Sequence, residues 1–209
     1  VLFNIAGMRL PVVLTCVNRA LSAPINIWND HQDSMAVRDS GWIQLYAENN
    51  QEVHDLHFAA YKIAEHKDIM LPVMVCMDGF ILSHGYEILD LAEQSQVDQY
   101  LPGYKPAYKL DTEDPLTMGL LGSPEVYTEM RYAIQKTMEE ALALIEKEER
   151  KFEKIFNRKQ PLLIESYKTE GADKVLIAMG SICGTIKEVV DELRAKGQKV
   201  GLVKIVCFR

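Results

Sequence analysis

The sequence lacks the cysteine clusters that build many protein metal sites. Its four cysteines are far apart along the chain, at Cys16, Cys76, Cys183 and Cys207, and no C-x-x-C pair occurs. Because zinc and iron–sulfur sites bound by cysteine usually need such local pairs, we expect neither kind of site within this chain. Each cysteine lies in an apolar run, which predicts reduced thiols and a cytoplasmic protein.

Long apolar runs and basic clusters are also missing. No apolar stretch approaches the roughly 20 residues that span a bilayer, and no charged leader with a cleavage site is seen, so we expect neither membrane insertion nor export. Lys and Arg number 23 against 30 Asp and Glu, a formal net charge of −7, which argues against a nucleic-acid partner. With 48% hydrophobic residues, the 209-residue chain has enough apolar side chains for a globular core.

The hydrophobic pattern of the first part predicts an α/β fold with parallel strands. Buried strands are predicted at 10–17 and 71–77. A shorter strand at 42–47 and a helix from Asn49 or Asn50 to about residue 66 lie between them. Strand, helix and strand in this order form a βαβ unit, whose two strands run parallel.

The second part predicts a linker, a long helix and another βαβ unit. Proline and glycine punctuate 96–122, which is typical of a linker or an extended surface segment. Ser123, followed by a proline, predicts the start of a helix that continues to about residue 156. A strand at 174–179, a helix at 185–196 and a strand at 199–208 form the second unit.

Both ends of the sequence predict an internal fragment of a longer protein. Residues 1–6 have the pattern of a helix end, and the last apolar run stops at Arg209 with no turn signal. A βαβ unit that ended there would leave an unpaired strand edge beside missing neighbours.

The densest group of polar side chains follows the first predicted strand. Ligands of open α/β sheets bind in the crevice beyond the carboxyl ends of the strands, so this loop is the candidate site. Asp78-Gly79-Phe80 follows the second buried strand and is predicted to line the same crevice. The candidate residues are Asn29, Asp30, His31, Gln32 and Asp33, with Arg19 upstream at the end of the strand.

A structural interpretation of this loop stays open beside the functional one. Asp30 and Asp33 would cap the next helix, and His31 would pack within the loop. These three residues are also metal-ligand types, but with no distant ligand identified we expect no metal site. Arg19 has two interpretations: an ion pair with Asp30 or Asp33, or a fork that binds a substrate carboxylate through two hydrogen bonds.

A glycine-containing turn precedes the last predicted helix. Residues 180–185 (GSICGT) lie between strand and helix, where a phosphate-binding loop would lie. The turn matches neither G-x-G-x-x-G nor a P-loop. We therefore predict an ordinary helix start with Ser181 as its N-cap.

Three stretches of the sequence carry a family resemblance. The first runs from residue 18 to about residue 65 and begins NRALSAPINIWNDHQD. The second is 71–80 (LPVMVCMDGF), and the third is 173–209 (DKVLIAMGSICGTIKEVVDELRAKGQKVGLVKIVCFR). On these residues the chain resembles the alpha subunits of 2-oxoacid:ferredoxin oxidoreductases. Within this family it resembles the alpha subunit of pyruvate:ferredoxin oxidoreductase, and the alpha subunit of 2-ketoisovalerate:ferredoxin oxidoreductase is a close relative. The resemblance runs over essentially the whole chain.

The resemblance implies a thiamine-diphosphate enzyme that oxidatively decarboxylates a 2-oxoacid, most directly pyruvate, to an acyl-coenzyme A. It implies that electrons reach ferredoxin through 4Fe–4S clusters on another subunit, and that the partners are beta-, gamma- and delta-type subunits. The family's Gly-Asp-Gly motif, which grips the diphosphate and Mg²⁺, is absent from this sequence, so a partner is expected to hold that end. Arg19 matches the family's arginine for the substrate carboxylate, and residues 29–33 match a segment near the active site without an assigned role.

The resemblance also implies a domain division. Residues 1–101 would be the later part of a pyrimidine-binding domain with a parallel sheet, 102–161 a linker and long helix, and 162–209 the start of a transketolase-C-terminal-like domain. Two other functions stay open: a non-catalytic assembly subunit, and a non-redox thiamine enzyme of the transketolase type.

Overall fold

The structure is a computed structural model that describes residues 1–106, 108–119 and 121–209. A first sheet contains β1 (Val13–Asn18), β2 (Ile43–Tyr46) and β3 (Val73–Asp78). A second sheet contains β4 (Ile164–Tyr167), β5 (Lys174–Ala178) and β6 (Val200–Ile205). The helices are α1 (Leu2–Gly7), α2 (Gln32–Ala36), α3 (Asn50–Ala64), α4 (Gln94–Tyr100), α5 (Pro124–Phe156) and α6 (Ile182–Ala195). A 3₁₀ turn at Arg38–Ser40 follows α2.

The first sheet is parallel throughout, with the strand order β1-β3-β2, so the α/β prediction is confirmed. Helix α3 connects β2 to β3 as the βαβ pattern predicts. The side chain of Asn49 caps α3 by accepting a hydrogen bond from the Glu52 N–H at 2.9 Å. Leu56, Ala60 and Ile63 recur at helical spacing, are fully buried and belong to the same core cluster as strands β2 and β3. Because β1 and β3 pair in parallel, their carboxyl ends lie side by side.

Strand β1 is less buried than the sequence predicts. It lies at the edge of the sheet as described, and Thr15 and Val17 are exposed while only its last residue, Asn18, is fully buried. Val17 is 45% exposed. The apolar run at 10–17 therefore predicted the strand correctly but not its burial. The spacing and type of its residues do not reveal which other strands and helices cover it.

The second sheet has the order β4-β6-β5 and is mixed. Strands β5 and β6 are parallel and joined by α6, which confirms the second predicted βαβ unit. Gly197 follows the end of α6 in the left-handed conformation, with φ of +80°. Strand β4, which the sequence pattern did not predict, pairs antiparallel with β6.

The predicted linker at 96–122 is wrong at its start, where α4 continues to Tyr100. The ring of Tyr100 packs against Phe152 and Phe156 of α5, at centroid distances of 5.5 and 5.4 Å. Two positions of the predicted linker, 107 and 120, lie outside the described residues, and 108–119 form no helix or strand. Helix α5 begins after Ser123 as predicted. No helix in the described ranges is long and apolar enough to cross a membrane.

The two sheets are joined by backbone hydrogen bonds. The chain beyond β6 lies antiparallel to β2, with an isolated bridge between Leu45 and Cys207. The Tyr46 N–H donates to the Val206 carbonyl at 2.7 Å, and the Phe208 N–H donates to the Gln44 carbonyl at 3.0 Å. The outer edge of β2 is thus paired with residues that follow the second sheet.

Candidate functional site

The structure brings the two predicted site loops together at the carboxyl ends of β1 and β3. Asn18 and Asp78 are register partners at the last pair of these strands. The Gly79 N–H donates to the Asn18 carbonyl at 2.9 Å, and a Cβ at Gly79 would lie 2.5 Å from that oxygen. Only glycine permits this approach, which carries the chain from β3 directly against the start of the loop that follows β1.

Aromatic side chains from both loops form one wall of the crevice. The Trp28 and Phe80 rings lie 5.3 Å apart between centroids, and the His84 ring lies 5.0 Å from Phe80 on the same turn. Trp28 is 58% exposed and Phe80 is 39% exposed. These rings form a solvent-exposed apolar surface on the same loops as the polar site residues.

His31 is bonded to Asp78, and Asp78 is bonded to the start of α6. The His31 Nε2 to Asp78 Oδ1 distance is 2.7 Å, and Asp78 is buried. Asp78 Oδ2 accepts hydrogen bonds from both the N–H and the hydroxyl of Ser181. Burial alone would raise the pKa of Asp78, but these hydrogen bonds outweigh it and hold the pKa below its ordinary value. Ser181 is the N-cap residue of α6, as predicted, but its hydroxyl makes no capping bond and donates to Asp78 instead.

The acidic residues of the loop bond to backbone N–H groups. Asp30 Oδ1 accepts from the Gln32 N–H at 2.7 Å, in agreement with the structural interpretation of that residue. Asp33 Oδ1 accepts from the Ser34 N–H and the Asn18 side-chain amide, both at 2.7 Å. Asn29 is exposed, and its side chain makes no hydrogen bond to a described residue.

Arg19 is exposed at the mouth of the crevice. Its N–H donates to Asp33 Oδ2 at 3.0 Å, but its guanidinium forms no ion pair or hydrogen bond with the residues that the structure describes. The predicted ion pair with Asp30 or Asp33 is therefore not formed. An exposed guanidinium with no partner among the described residues is suited to bind a carboxylate through two parallel hydrogen bonds.

A second charged group, which the sequence analysis missed, lies where the two sheets meet. The buried Lys204 ammonium is 2.6 Å from Glu52, 2.6 Å from Glu165 and 2.8 Å from Glu48. Lys187 also contacts Glu48, at 2.8 Å, and Glu165, at 3.1 Å. The signal was a lysine inside the apolar strand run VKIVCF, which a buried counter-charge explains.

The donor groups of the described residues do not fit the diphosphate end of thiamine diphosphate with its Mg²⁺. In the described ranges, Glu48, Glu52 and Glu165 are the only three ligand-type side chains close enough to hold one ion. The ammonium groups of Lys204 and Lys187 already contact these carboxylates, so the two positive charges that a divalent cation would supply are present. Asp30, His31 and Asp33 do not come together as such a group. The crevice fits a carboxylate, through Arg19, and not a metal–diphosphate.

The fold is that of an α/β protein whose polar loop residues and Asp78 lie at the carboxyl ends of two parallel strands. The chain belongs to the family of pyruvate flavodoxin/ferredoxin oxidoreductases, thiamine diphosphate-binding, whose model matches residues 1–150. A second model, pyruvate:ferredoxin oxidoreductase core domain II, matches residues 172–209. The family resemblance found in the sequence is confirmed.

Relatives match the chain from end to end. It is 54% identical over 208 residues to the pyruvate synthase subunit PorA of Methanosarcina barkeri, covering 100% of this chain and 52% of that protein. It is 46% identical over 205 residues to the ketoisovalerate oxidoreductase subunit VorA of Pyrococcus horikoshii, covering 98% of this chain and 52% of that protein. The chain thus spans about half the length of these relatives.

A solved structure has the same fold. The 2-oxoglutarate:ferredoxin oxidoreductase from Magnetococcus marinus, with 2-oxoglutarate, coenzyme A and succinyl-CoA bound, matches with a TM-score of 0.62 and 18% identity. The match covers 98% of this chain and 39% of that one. At this identity, the similarity establishes the fold alone.

Proposed function

We propose that the protein is a subunit of a pyruvate:ferredoxin oxidoreductase, in which it helps to decarboxylate pyruvate oxidatively to acetyl-coenzyme A. The observation that carries this proposal is the free guanidinium of Arg19 at the crevice, in a chain 54% identical to a pyruvate synthase subunit. The identity to the ketoisovalerate oxidoreductase subunit is only eight points lower, so a branched 2-oxoacid is the second candidate substrate.

The residues of this chain bind and orient the substrate in this proposal. Thiamine diphosphate, when bound, supplies the electron sink that decarboxylation needs. The Arg19 guanidinium holds the carboxylate of the 2-oxoacid, which fixes the direction in which the carbon skeleton points. Trp28 and Phe80 offer an exposed apolar surface against which the carbon skeleton of the substrate would pack.

In this proposal, other subunits of the complex hold the diphosphate end of the cofactor, the Mg²⁺ and the iron–sulfur clusters. A beta-type subunit holds the diphosphate and Mg²⁺, because Lys204 fills the one group of acidic residues that would bind a divalent ion in the described ranges. The 4Fe–4S clusters lie on another subunit, since the four cysteines of this chain are free thiols, and the two that are neighbours across β1 and β3, Cys16 and Cys76, are too few to ligate such a cluster. Gamma- and delta-type subunits, ferredoxin and coenzyme A complete the complex, which acts in the cytoplasm.

The proposed domain division follows the two sheets. Residues 1–101 contain the first sheet and belong to the pyrimidine-binding domain, and 162–209 contain the second sheet and belong to a transketolase-C-terminal-like domain. Residues 102–161, which include α5, connect the two.

Replacement of Arg19 tests the proposed function. A hydrogen bond to a charged group contributes about 1.5–3 kcal/mol, so Arg19→Ala in the full complex should lower kcat/KM for pyruvate roughly 10- to 200-fold. Arg19→Lys should recover only part of the loss, because an ammonium lacks the planar fork. Saturation kinetics with pyruvate and 2-ketoisovalerate, with a viologen as electron acceptor, provide the measurement.

A matched control separates the site from general effects of removing an arginine. Arg150 is an exposed arginine on α5, and Arg150→Ala should leave kcat/KM unchanged. The melting temperature of Arg19→Ala should also stay close to that of the wild type, since Arg19 has no ion pair to lose. Unchanged kinetics in Arg19→Ala would exclude the substrate role and favour a non-catalytic assembly subunit.

A further inference from the structure

The segment that carries Arg19 continues beyond β1 without a partner strand. The pairing of β1 with β3 ends at Asn18 and Asp78. In an extended chain, the N–H groups of residues two apart point to the same side, so the amides of Arg19 and Leu21 present one edge. The loop that follows them contains the residues to which the sequence analysis assigned no role.

Two side chains take the place of the absent strand. Asp33 Oδ2 accepts from the Arg19 N–H at 3.0 Å, and Gln32 Oε1 accepts from the Leu21 N–H at 2.7 Å. These two acceptors are adjacent in sequence, and they bond to alternate amides of the segment. The backbone on both sides of Arg19 is therefore held by the first two residues of α2.

The acceptors are themselves anchored in the protein interior. Asp33 Oδ1 accepts from the amide of Asn18, which is fully buried. The same Asn18 amide donates to the Ser34 hydroxyl at 2.8 Å, and that hydroxyl accepts from the buried Tyr46 hydroxyl at 2.8 Å. This network ties the position of α2 to β1 and β2, so Gln32 and Asp33 are presented from a fixed support.

We propose that Gln32 and Asp33 are positioning residues that act through the backbone of Arg19. The Arg19 guanidinium has no anchor among the described residues, so the direction of its side chain depends on how the peptide groups around it are held. If the guanidinium moved by about 1 Å, it would hold the substrate carboxylate in a less reactive position. This inference rests on the proposed role of Arg19 in binding the 2-oxoacid.

The test uses two variants in the full complex. Gln32→Met keeps the length of the side chain and removes the oxygen acceptor, and Asp33→Asn replaces one acceptor oxygen with a donor. Loss of one hydrogen bond of ordinary strength should raise KM for pyruvate about fivefold, with kcat nearly unchanged. Gln198→Met, at an exposed turn after α6, is the matched control and should leave KM unchanged.

A double-mutant cycle asks whether the effect passes through Arg19. In the Arg19→Ala background, Gln32→Met should change KM by less than about twofold, because the group that it positions is gone. An equal rise in KM in both backgrounds would overturn the proposal, since Gln32 would then act directly. A raised KM in Arg19→Ala beside unchanged values in Gln32→Met and Asp33→Asn would overturn the positioning role alone. An unchanged KM in Arg19→Ala would overturn both the proposed function and this inference.

Hydrogen exchange gives a readout that does not depend on activity. The Leu21 amide is protected by Gln32 in the native protein, so a peptide that covers residues 18–24 should exchange faster in Gln32→Met. Exchange elsewhere in the first sheet should stay unchanged. An unaltered exchange rate in that peptide would contradict the proposed clamp.

Discussion

Burial and neighbouring carboxylates act in opposite directions on the pKa of Lys204. Burial opposes its charge, but the carboxylates of Glu52, Glu165 and Glu48 outweigh that effect and raise the pKa of the ammonium above its ordinary value. Burial also raises the pKa of the Glu52 carboxyl, and the nearby Lys204 ammonium offsets only part of this rise. A buried ion network of this kind adds little to stability compared with apolar packing, but it is costly to break.

Lys204→Met should lower the free energy of unfolding by about 3–5 kcal/mol, because it leaves buried carboxylates without their central cation. Urea unfolding of the full-length protein provides the measurement. Lys136→Met on the exposed face of α5 removes only a surface pair with Glu140 and should change stability by less than about 0.5 kcal/mol. A loss below about 1 kcal/mol in Lys204→Met would contradict this account of the network.

At the scale of elements, helix α6 is docked onto the first sheet through the turn at its start. Gly180 adopts φ of +79°, and the next residue, Ser181, binds Asp78 at the end of β3. A Cβ at Gly180 would lie 2.9 and 3.0 Å from the two Asp78 carboxylate oxygens and 3.0 Å from His31 Cε1. The turn therefore requires glycine both for its backbone and for the space that Asp78 and His31 occupy.

Gly180→Ala should destabilise the protein more than Gly171→Ala. Both positions have positive φ, at +79° and +63°, so each substitution carries a conformational cost of about 1–2 kcal/mol. A Cβ at Gly171 meets nothing within 4 Å, whereas one at Gly180 adds the cost of overpacking, about 1–3 kcal/mol. Urea unfolding of both variants measures the difference. Equal losses would show that the turn tolerates a Cβ against Asp78.

Elements with a strong hydrophobic period were predictable from the sequence, and two weak ones were not. Helix α4 has the polar sequence QSQVDQY, and its formation depends on the packing of Tyr100 against Phe152 and Phe156 more than 50 residues away. Strand β4 (IESY) has four residues, and its place follows from pairing with β6. Tertiary contacts of this kind leave no periodic signal in the segment itself.

The candidate site was predictable as a location but not as a set of contacts. Strand ends and polar composition predicted that the loop after β1 and Asp78 share one end of the sheet, and the contact between His31 and Asp78 agrees with this. The pairing of His31 with Asp78, and of Asp78 with Ser181, joins residues 47 and 103 positions apart, which no local pattern encodes. The N-cap position of Ser181 was predictable from the local sequence, but its bonds to Asp78 were not, because that partner comes from another part of the chain.

At the scale of the whole molecule, we propose that the two sheets form one half of a shared binding site. The described residues include the exposed Arg19 proposed to bind the substrate carboxylate and the Trp28–Phe80 pair, while Lys204 and Lys187 occupy the cluster of three carboxylates. The protein without its partner subunits should therefore bind thiamine diphosphate and Mg²⁺ weakly.

Calorimetric titration of the full-length subunit alone should show no saturable heat at micromolar protein concentration, because its diphosphate ligands are proposed to lie on a partner. The assembled complex, stripped of cofactor and titrated in the same buffer, is the positive control. Saturable, Mg²⁺-dependent binding by the subunit alone in the micromolar range would contradict the proposed division of the site.

The pairing of residues 206–209 with β2 also bears on the behaviour of the protein in concentrated solution. An uncovered strand offers a row of N–H and C=O groups to which a strand of another molecule can add, and this is a common route to aggregation. Val206, Phe208 and Arg209 occupy that row along β2. A variant that weakened this contact would expose the four-residue edge of β2, three of whose residues are hydrophobic. The same hydrogen bonds that join the sheets therefore also keep neighbouring molecules from assembling on β2.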